Sequence, residues 1–437
     1  MNRLILVLSL FFFAVHVPAN LSAQELLSRD DVLLSLEQNS YDLSLLQQNI
    51  ASAEVLCSKY NRGYMPVVGI NAGLGTDIGS QRLVYNAVFP DQNIKNAANV
   101  SGSVGVSAGY LIYDGGTRKV TNAKNLAELE LAQLQFENTW QSLNFSASQL
   151  YYSIAQLKYN ETLLEENWKI SNERLERAQV YYENGQGSRV DVLNAEVDLA
   201  RDSLQLIAAR TDGENLKWQL NQFTLRQDID YVVDSIFALE YQGRLLDELQ
   251  TTLLDTNAEL ATLRKNKDII AFDVDLAERI NSPAINANAA YDLGYQKNDG
   301  QNLLNYSRSN GLSLGITANW NFLDGGQRKL QAQLVELRKK TVEIELASKE
   351  NELLLLLNRL WNSYQNSLLS MELEQKSIEA STLNFQRVKE LYNNGQQSAI
   401  EFRQAQLNLF NGQAQYYNAL IAAKLYEVEL DFLLNDK

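Results

Sequence analysis

The chain has 437 residues, a formal net charge of −15, one cysteine, one histidine and four prolines. An acidic balance of this size argues against a nucleic-acid partner, which needs a basic face. So few prolines suit long uninterrupted helices. Arg3, the apolar run Leu4–Val17 and the small residues at Ser22-Ala23 read as a secretory signal peptide over residues 1–23. Its removal takes His16, the only histidine, with it. No later stretch approaches the ~20 apolar residues of a membrane helix; Leu353–Leu357 is as long as any. An exported chain of this kind is either soluble or a β-barrel. Cys57 sits in a helical pattern and reads as a small buried side chain.

Residues 28–61 show apolar positions at near-helical spacing (Leu33, Leu36, Leu43, Leu46, Ile50) and end before Pro66. A strand is predicted over 66–76, with Val68, Ile70, Ala72 and Leu74 on one face and Gly69, Asn71, Gly73 and Gly75 on the other. A polar loop is expected over Asp77–Asn99. The clearest strand covers 100–113: Val104, Val106, Ala108, Tyr110 and Ile112 alternate with Ser103, Gly105, Ser107 and Gly109. The second face of a soluble sheet would carry charges. Here it carries small neutral groups, as in a strand between lipid and a wet lumen. Tyr110 and Tyr113 stand where an interfacial aromatic girdle would lie.

Asp114-Gly115-Gly116 ends that strand. No Pro or Gly follows until Gly185, which predicts a helix over 117–182 about 100 Å long at 1.5 Å per residue. Its charge-dense part, Glu161–Arg177, reads as a solvated coiled-coil surface. The chain turns at Tyr181–Ser188, YYENGQGS, where Gly185 suits a left-handed helix end and Ser188 with Asp191 suits a cap. A returning helix over 188–225 shows Val190, Leu193, Val197, Ala200, Leu204 and Ile207 at heptad intervals. Residues 227–243 link the first half (24–226) to the second (244–437).

The second half repeats the first. Leu245–Ile280 is predicted as the opening helix, and Pro283 takes the place of Pro66. Strands are predicted over 284–295 and 311–323, around a polar loop Gln296–Asn310. Asp324-Gly325-Gly326 then opens a helix over 327–392, LYNNGQQS turns the chain at Leu391–Ser398, and a helix over 398–433 returns. Asp114 and Asp324 are 210 residues apart, as are Gly185 and Gly395. Under that offset Val104 falls on Leu314 and Tyr110 on Trp320, so the strand faces stay in phase; Trp320 and Phe322 are the second copy's interface aromatics.

Each half thus offers two membrane strands. Barrels begin at about eight strands, and an open edge does not survive in lipid. Several chains must therefore share one barrel. The fold class is mostly α with a membrane β-barrel part, built from a duplicated helix–strand–strand–long helix–helix unit.

The two hairpins, the paired DGG junctions and the paired Tyr-x-x-Gly turns (Tyr182/Gly185 and Tyr392/Gly395) make the chain resemble the TolC-type outer-membrane efflux and secretion channels over nearly its whole mature length. The resemblance implies a homotrimer with a 12-stranded barrel, a long periplasmic α-helical barrel, and docking onto a periplasmic adaptor and an inner-membrane pump. It implies location in the outer membrane of a Gram-negative bacterium, and a passive exit duct with a gated periplasmic tip. By position it makes Tyr392 and Asp191 a gate link and Glu401 a member of an acidic ring. The second acid of that ring is replaced by Gln404 and the gate arginine by Gln397. Gly185, Gly187, Ser188, Gly395 and Ser398 are the tip residues that would meet the adaptor; Gly permits close approach there.

Read alone, Asp191, Ser188 and Ser398 are also plain helix caps, Glu401 a solvated helix residue, and Tyr182 and Tyr392 helix-end packing. A competing class is a secreted or surface coiled-coil interaction protein with soluble β-hairpins. An enzyme is disfavoured: the mature chain lacks a histidine base, a metal-ligand cluster and a phosphate loop, and no cofactor is implied.

Overall fold

The computed structural model describes residues 25–86, 90–225, 231–234, 237–298 and 305–435. The expected signal peptide, 1–23, lies outside the described residues. In chain order the elements are β1 (Glu25–Leu27), α1 (Arg29–Asn39), α2 (Tyr41–Leu56), β2 (Val67–Leu83), β3 (Gln92–Tyr113), α3 (Thr117–Glu183) and α4 (Arg189–Thr224). They continue with β4 (Tyr231–Val233), α5 (Leu246–Thr256), α6 (Ala258–Arg279), β5 (Ala284–Lys297), β6 (Tyr306–Asn319), α7 (Gln327–Asn393) and α8 (Ala399–Leu434). The fold is mostly helical with one larger sheet. Among the described residues no helix is long and apolar enough to cross a membrane.

The chain divides into two compact units. One comprises residues up to 39 with 146–240 and 365–425; the other comprises 40–145, 241–364 and 426–437.

The second unit holds an antiparallel sheet of order β2-β3-β5-β6. Its register places Ile70 against Val106, Val106 against Tyr291, and Tyr291 against Leu312. Directly paired residues share a face, so the apolar positions of all four strands form one continuous surface. That surface is exposed: Ile70 is 79% and Leu314 75% accessible. The opposite face carries Asn71, Gly105, Asp292 and Gly311 in one row. A bulge between Leu111 and Tyr113 inserts Ile112 as an extra residue, so Tyr113 pairs with Ile285 and joins the face of Tyr110. β6 stops at Asn319, short of the expected 323; Trp320 and Phe322 lie beyond it, exposed.

The polar loop expected over 77–99 is largely strand, since β2 runs to Leu83 and β3 starts at Gln92. β6 likewise begins inside the expected second loop. These extensions are dominated by polar residues, with Ile78, Leu83 and Ile94 scattered among Asp, Gln, Arg, Lys and Asn, so the regular alternation of the rest of the strand is lost there.

Both opening helices are broken. Ser40, in extended backbone, accepts a hydrogen bond from Leu43 N and starts α2; Asn257 accepts from Glu259 N and Leu260 N and starts α6. The breaks are 217 residues apart, as are Pro66 and Pro283. Each is made by a polar N-cap inside an otherwise helical pattern, without Gly or Pro.

At both strand-to-helix junctions the aspartate closes the helix start. Asp114 accepts from Gly116 N (3.1 Å) and Arg118 N (2.7 Å). Asp324 does the same with Gly326 N (3.0 Å) and Arg328 N (2.8 Å). The four glycines have φ between +64° and +89°, the left-handed region where a Cβ is strained. These amide bonds hold the Asp324 carboxyl below the usual range.

In the first unit β1 pairs in parallel with β4, which lies inside the expected linker. Tyr151 Oη donates to Leu27 O and accepts from Asp234 N, both at 3.1 Å, fastening this pair to α3. Tyr159 stacks on Tyr417 with centroids 3.8 Å apart.

The heptad seam expected on α4 is not the buried one. Val190, Leu193, Val197, Leu204 and Ile207 are all exposed, while Val192, Ala195, Asp202, Leu206 and Ala209 are buried. The helix carries two seams. The face used within the chain contains small and polar residues, and the stronger apolar one is left outward.

Candidate functional site: the helical turns

The first turn ends α3 with Gly185 at φ +70° and bonds from Gly185 N to Tyr182 O and from Gln186 N and Gly187 N to Tyr181 O. These satisfy the last carbonyls of the helix. The second turn repeats the pattern: Gly395 N bonds to Tyr392 O, and Gln396 N to Leu391 O. A Cβ at Gly187 would stand 3.1 Å from Tyr181 Cβ, so this turn is tight. Gln397 occupies the matching place in the second copy.

Each turn hands over to a capping box. Val190 N donates to Ser188 Oγ, and Ser188 N to Asp191 Oδ2 at 3.3 Å. In the second copy Glu401 N donates to Ser398 Oγ, while Ser398 N and Oγ both donate to Glu401 Oε2, at 3.2 and 2.7 Å. The bonds from Ser398 hold the Glu401 carboxyl below the usual glutamate range. Asp191 and Glu401 therefore close helix starts in this protomer. Gln404 donates to Asn408 Oδ1 at 2.8 Å.

Tyr392 stacks on Phe402 with centroids 4.7 Å apart. Burial pushes its phenol up, against the opposing pull of Arg174 and Arg177. Tyr392 and Asp191 line one cleft of about 710 Å³. No hydrogen bond joins them; Asp191 is engaged with Ser188.

The cation that holds the two turns together comes from elsewhere. Arg177 of α3 places its guanidinium 5.4 Å from the Tyr181 ring and 5.3 Å from the Tyr392 ring. It donates to Asn393 O at 3.1 Å and to Asn393 Oδ1. Asn393 ends α7, so Arg177 meets an orphan carbonyl at the negative end of the helix dipole. The residue sits in a charge-dense stretch that, from spacing alone, reads as solvated surface.

The same stretch supplies a buried polar layer. Arg403 donates to Asp202 Oδ1 at 2.7 Å and to Ser171 Oγ at 3.0 Å, and Ser171 Oγ donates to Asp202 Oδ2. Asp202 and Ser171 are essentially inaccessible. Arg174, also buried, pairs with Asp198. Gln406 donates to Asn167 Oδ1 at 2.7 Å. The signal for this layer lies in the sequence: Ala195, Asp202 and Ala209 recur every seven residues on one helical face. The more apolar seam beside it masked that face. Among the described residues no group of three or more His, Cys, Asp or Glu is placed to hold a metal ion.

Residues 32–224 match the model of the family described as outer membrane efflux protein. The solved outer-membrane protein VceC of Vibrio cholerae superposes with a TM-score of 0.75 over 93% of this chain and 95% of its own, at 17% identity. The outer-membrane channel CmeC of Campylobacter jejuni gives 0.74 over 93% and 85%, at 16% identity. The chain has the fold of the outer-membrane efflux channels. Two relatives in sequence agree. The putative multidrug resistance outer membrane protein MdtQ of Shigella flexneri is 21% identical over 318 residues. The outer membrane efflux protein BepC of Brucella suis is 20% identical over 317. Each alignment covers 71% of this chain and spans 64% and 66% of the relative's own length, respectively. The resemblance carried by the hairpins, DGG junctions and paired turns is thereby borne out, and the efflux fold supplies the frame for the site.

Proposed function

We propose that this chain is the outer-membrane exit duct of a tripartite efflux pump or type I secretion system. In this reading three copies close one 12-stranded barrel, four strands from each, and the helical hairpins form a periplasmic tunnel. The turns at Gly185 and Gly395 meet a periplasmic adaptor, an inner-membrane pump supplies the energy, and the chain performs no chemistry. The helices near the turns form the gate, with Arg177 and Tyr392 as its intrachain latch.

The observation that carries this reading is the continuous exposed apolar face across β2, β3, β5 and β6, backed by a face rich in Gly, Ser, Asn and Thr that also carries Asp292. A water-soluble hairpin pair would bury that face or break it with charge. A lipid-facing strand requires it. The outer strands β2 and β6 have unpaired edges in the single chain, which lipid does not tolerate.

Native mass spectrometry of the protein extracted from membranes in detergent tests the reading. Three copies retained together are expected. A monomer that stays in solution without detergent overturns it.

A further inference from the structure

The 210-residue offset places Arg387 on Arg177, Tyr182 on Tyr392, and Glu183 on Asn393. Within the chain, Arg177 of the first repeat reaches the end of α7 in the second. The repeat-equivalent contact would run from Arg387 of the second repeat to the end of an α3. Among the described residues no α3 end meets it, and Arg387 extends into solvent, its side chain 71% accessible. Among the described residues its one ion pair is with Glu390, three residues on at 3.3 Å. Glu183 is exposed and makes no ion pair among the described residues.

We propose that Arg387 latches onto Glu183 of a second copy of this chain, at the end of that copy's α3, beside its Tyr182. The inference rests on the homo-oligomeric duct reading and adds the residues that lock one copy to the next. Three observations converge on it. The within-chain latch shows the geometry that two neighbouring repeats adopt at their turns. The acceptor changes from the neutral Asn393 to the anionic Glu183, which complements the arginine and makes its bonds charge-assisted. The same directional rule holds in the sheet: β3 of the first repeat pairs with β5 of the second, leaving β6 with an open edge for the β2 of another copy. A contact that joins unlike surfaces head to tail closes into a ring when the rotation allows.

The latch is a positioning contact, and its test is charge reversal with rescue. Full-length Arg387→Glu and Glu183→Arg are reconstituted singly and together in planar lipid bilayers, and the open-to-closed ratio is recorded. Each single reversal should raise that ratio by about tenfold, since several exposed pairs act together around the ring. The double reversal should restore it towards the parent value. Arg177→Ala should open the channel alone and additively. Native mass spectrometry of each variant separates the outcomes. Trimers in which the double reversal gives no rescue overturn the Arg387–Glu183 latch and leave the duct standing. A parent protein that is monomeric overturns both.

Discussion

At the first junction, Gly115 and Gly116 are hemmed in: a Cβ on Gly115 would strike Ser282, and one on Gly116 would stand 2.7 Å from Arg279 Nη1. At the second, nothing lies within 4 Å of either Gly325 or Gly326, although the backbone angles match. Arg118 of the first junction donates to Gly63 O at 2.7 Å and lies 4.7 Å from the Tyr64 ring, and Arg279 donates to Gly115 O. The turns show the same contrast, with Arg177 engaged and Arg387 in solvent. So does the sheet, with β3 paired on both sides and β6 on one. Local sequence sets the shape of a repeated device. Its surroundings depend on which repeat packs beside it, and among the described residues the second repeat's device has no such neighbour. The proposed assembly of copies would remove this asymmetry.

The largest expected effect comes from a buried charge pair without a twin. The offset places Leu193 opposite Arg403 and Gly412 opposite Asp202, so the buried pair exists only between repeats of the same chain. Asp202→Ala leaves Arg403 buried and unpaired, which costs about 3–5 kcal/mol. A clear fall in the thermal midpoint is expected, and an Arg403→Met, Asp202→Leu double variant should recover most of it. Next is the sheet. Ile316→Arg places a charge on the apolar face at about 2–4 kcal/mol near the bilayer midplane, falling toward the interface. Cell fractionation should show the variant lost from the outer membrane, whereas Thr317→Arg on the opposite face should insert.

The junction glycines give a smaller effect that sharpens the contrast. Gly325→Ala in a monomer should cost only backbone strain, about 1–2 kcal/mol. Gly115→Ala adds the clash with Ser282. If copies complete one another, the two variants should destabilise the assembled protein by similar amounts. Differential scanning calorimetry on assembled and dissociated protein reads the difference. The smallest effect is at the second capping box. Glu401 is held below its ordinary range, so its contribution is present above the usual glutamate range. It is lost as pH falls through the lowered value. Hydrogen exchange in the first turn of α8 should quicken only at that acid end, and Glu401→Gln should remove the pH dependence.

Much of this was legible in residue patterns. Alternation at Val104–Ile112 and Leu312–Ile316 marked the strands because one face is apolar and the other small and polar. The long runs without Gly or Pro marked α3 and α7. Legibility failed where that contrast fails. The outer parts of β2, β3 and β6 are rich in polar residues with few apolar positions in alternation, and read as loops. Ser40 and Asn257 break helices by side-chain capping, which leaves the apolar period nearly intact. At the turns, Ser188 and Ser398 were visible as caps because capping is local. Arg177 and the Arg403–Asp202 pair were not, since their partners are about 200 residues away in sequence.

The central claim is tested most directly by single-channel conductance of the purified full-length protein in a planar lipid bilayer. The account predicts discrete, stable steps from a mostly closed channel whose openings increase when Arg177 is replaced by alanine. A protein that leaves the bilayer silent under both conditions, while remaining folded, would contradict it.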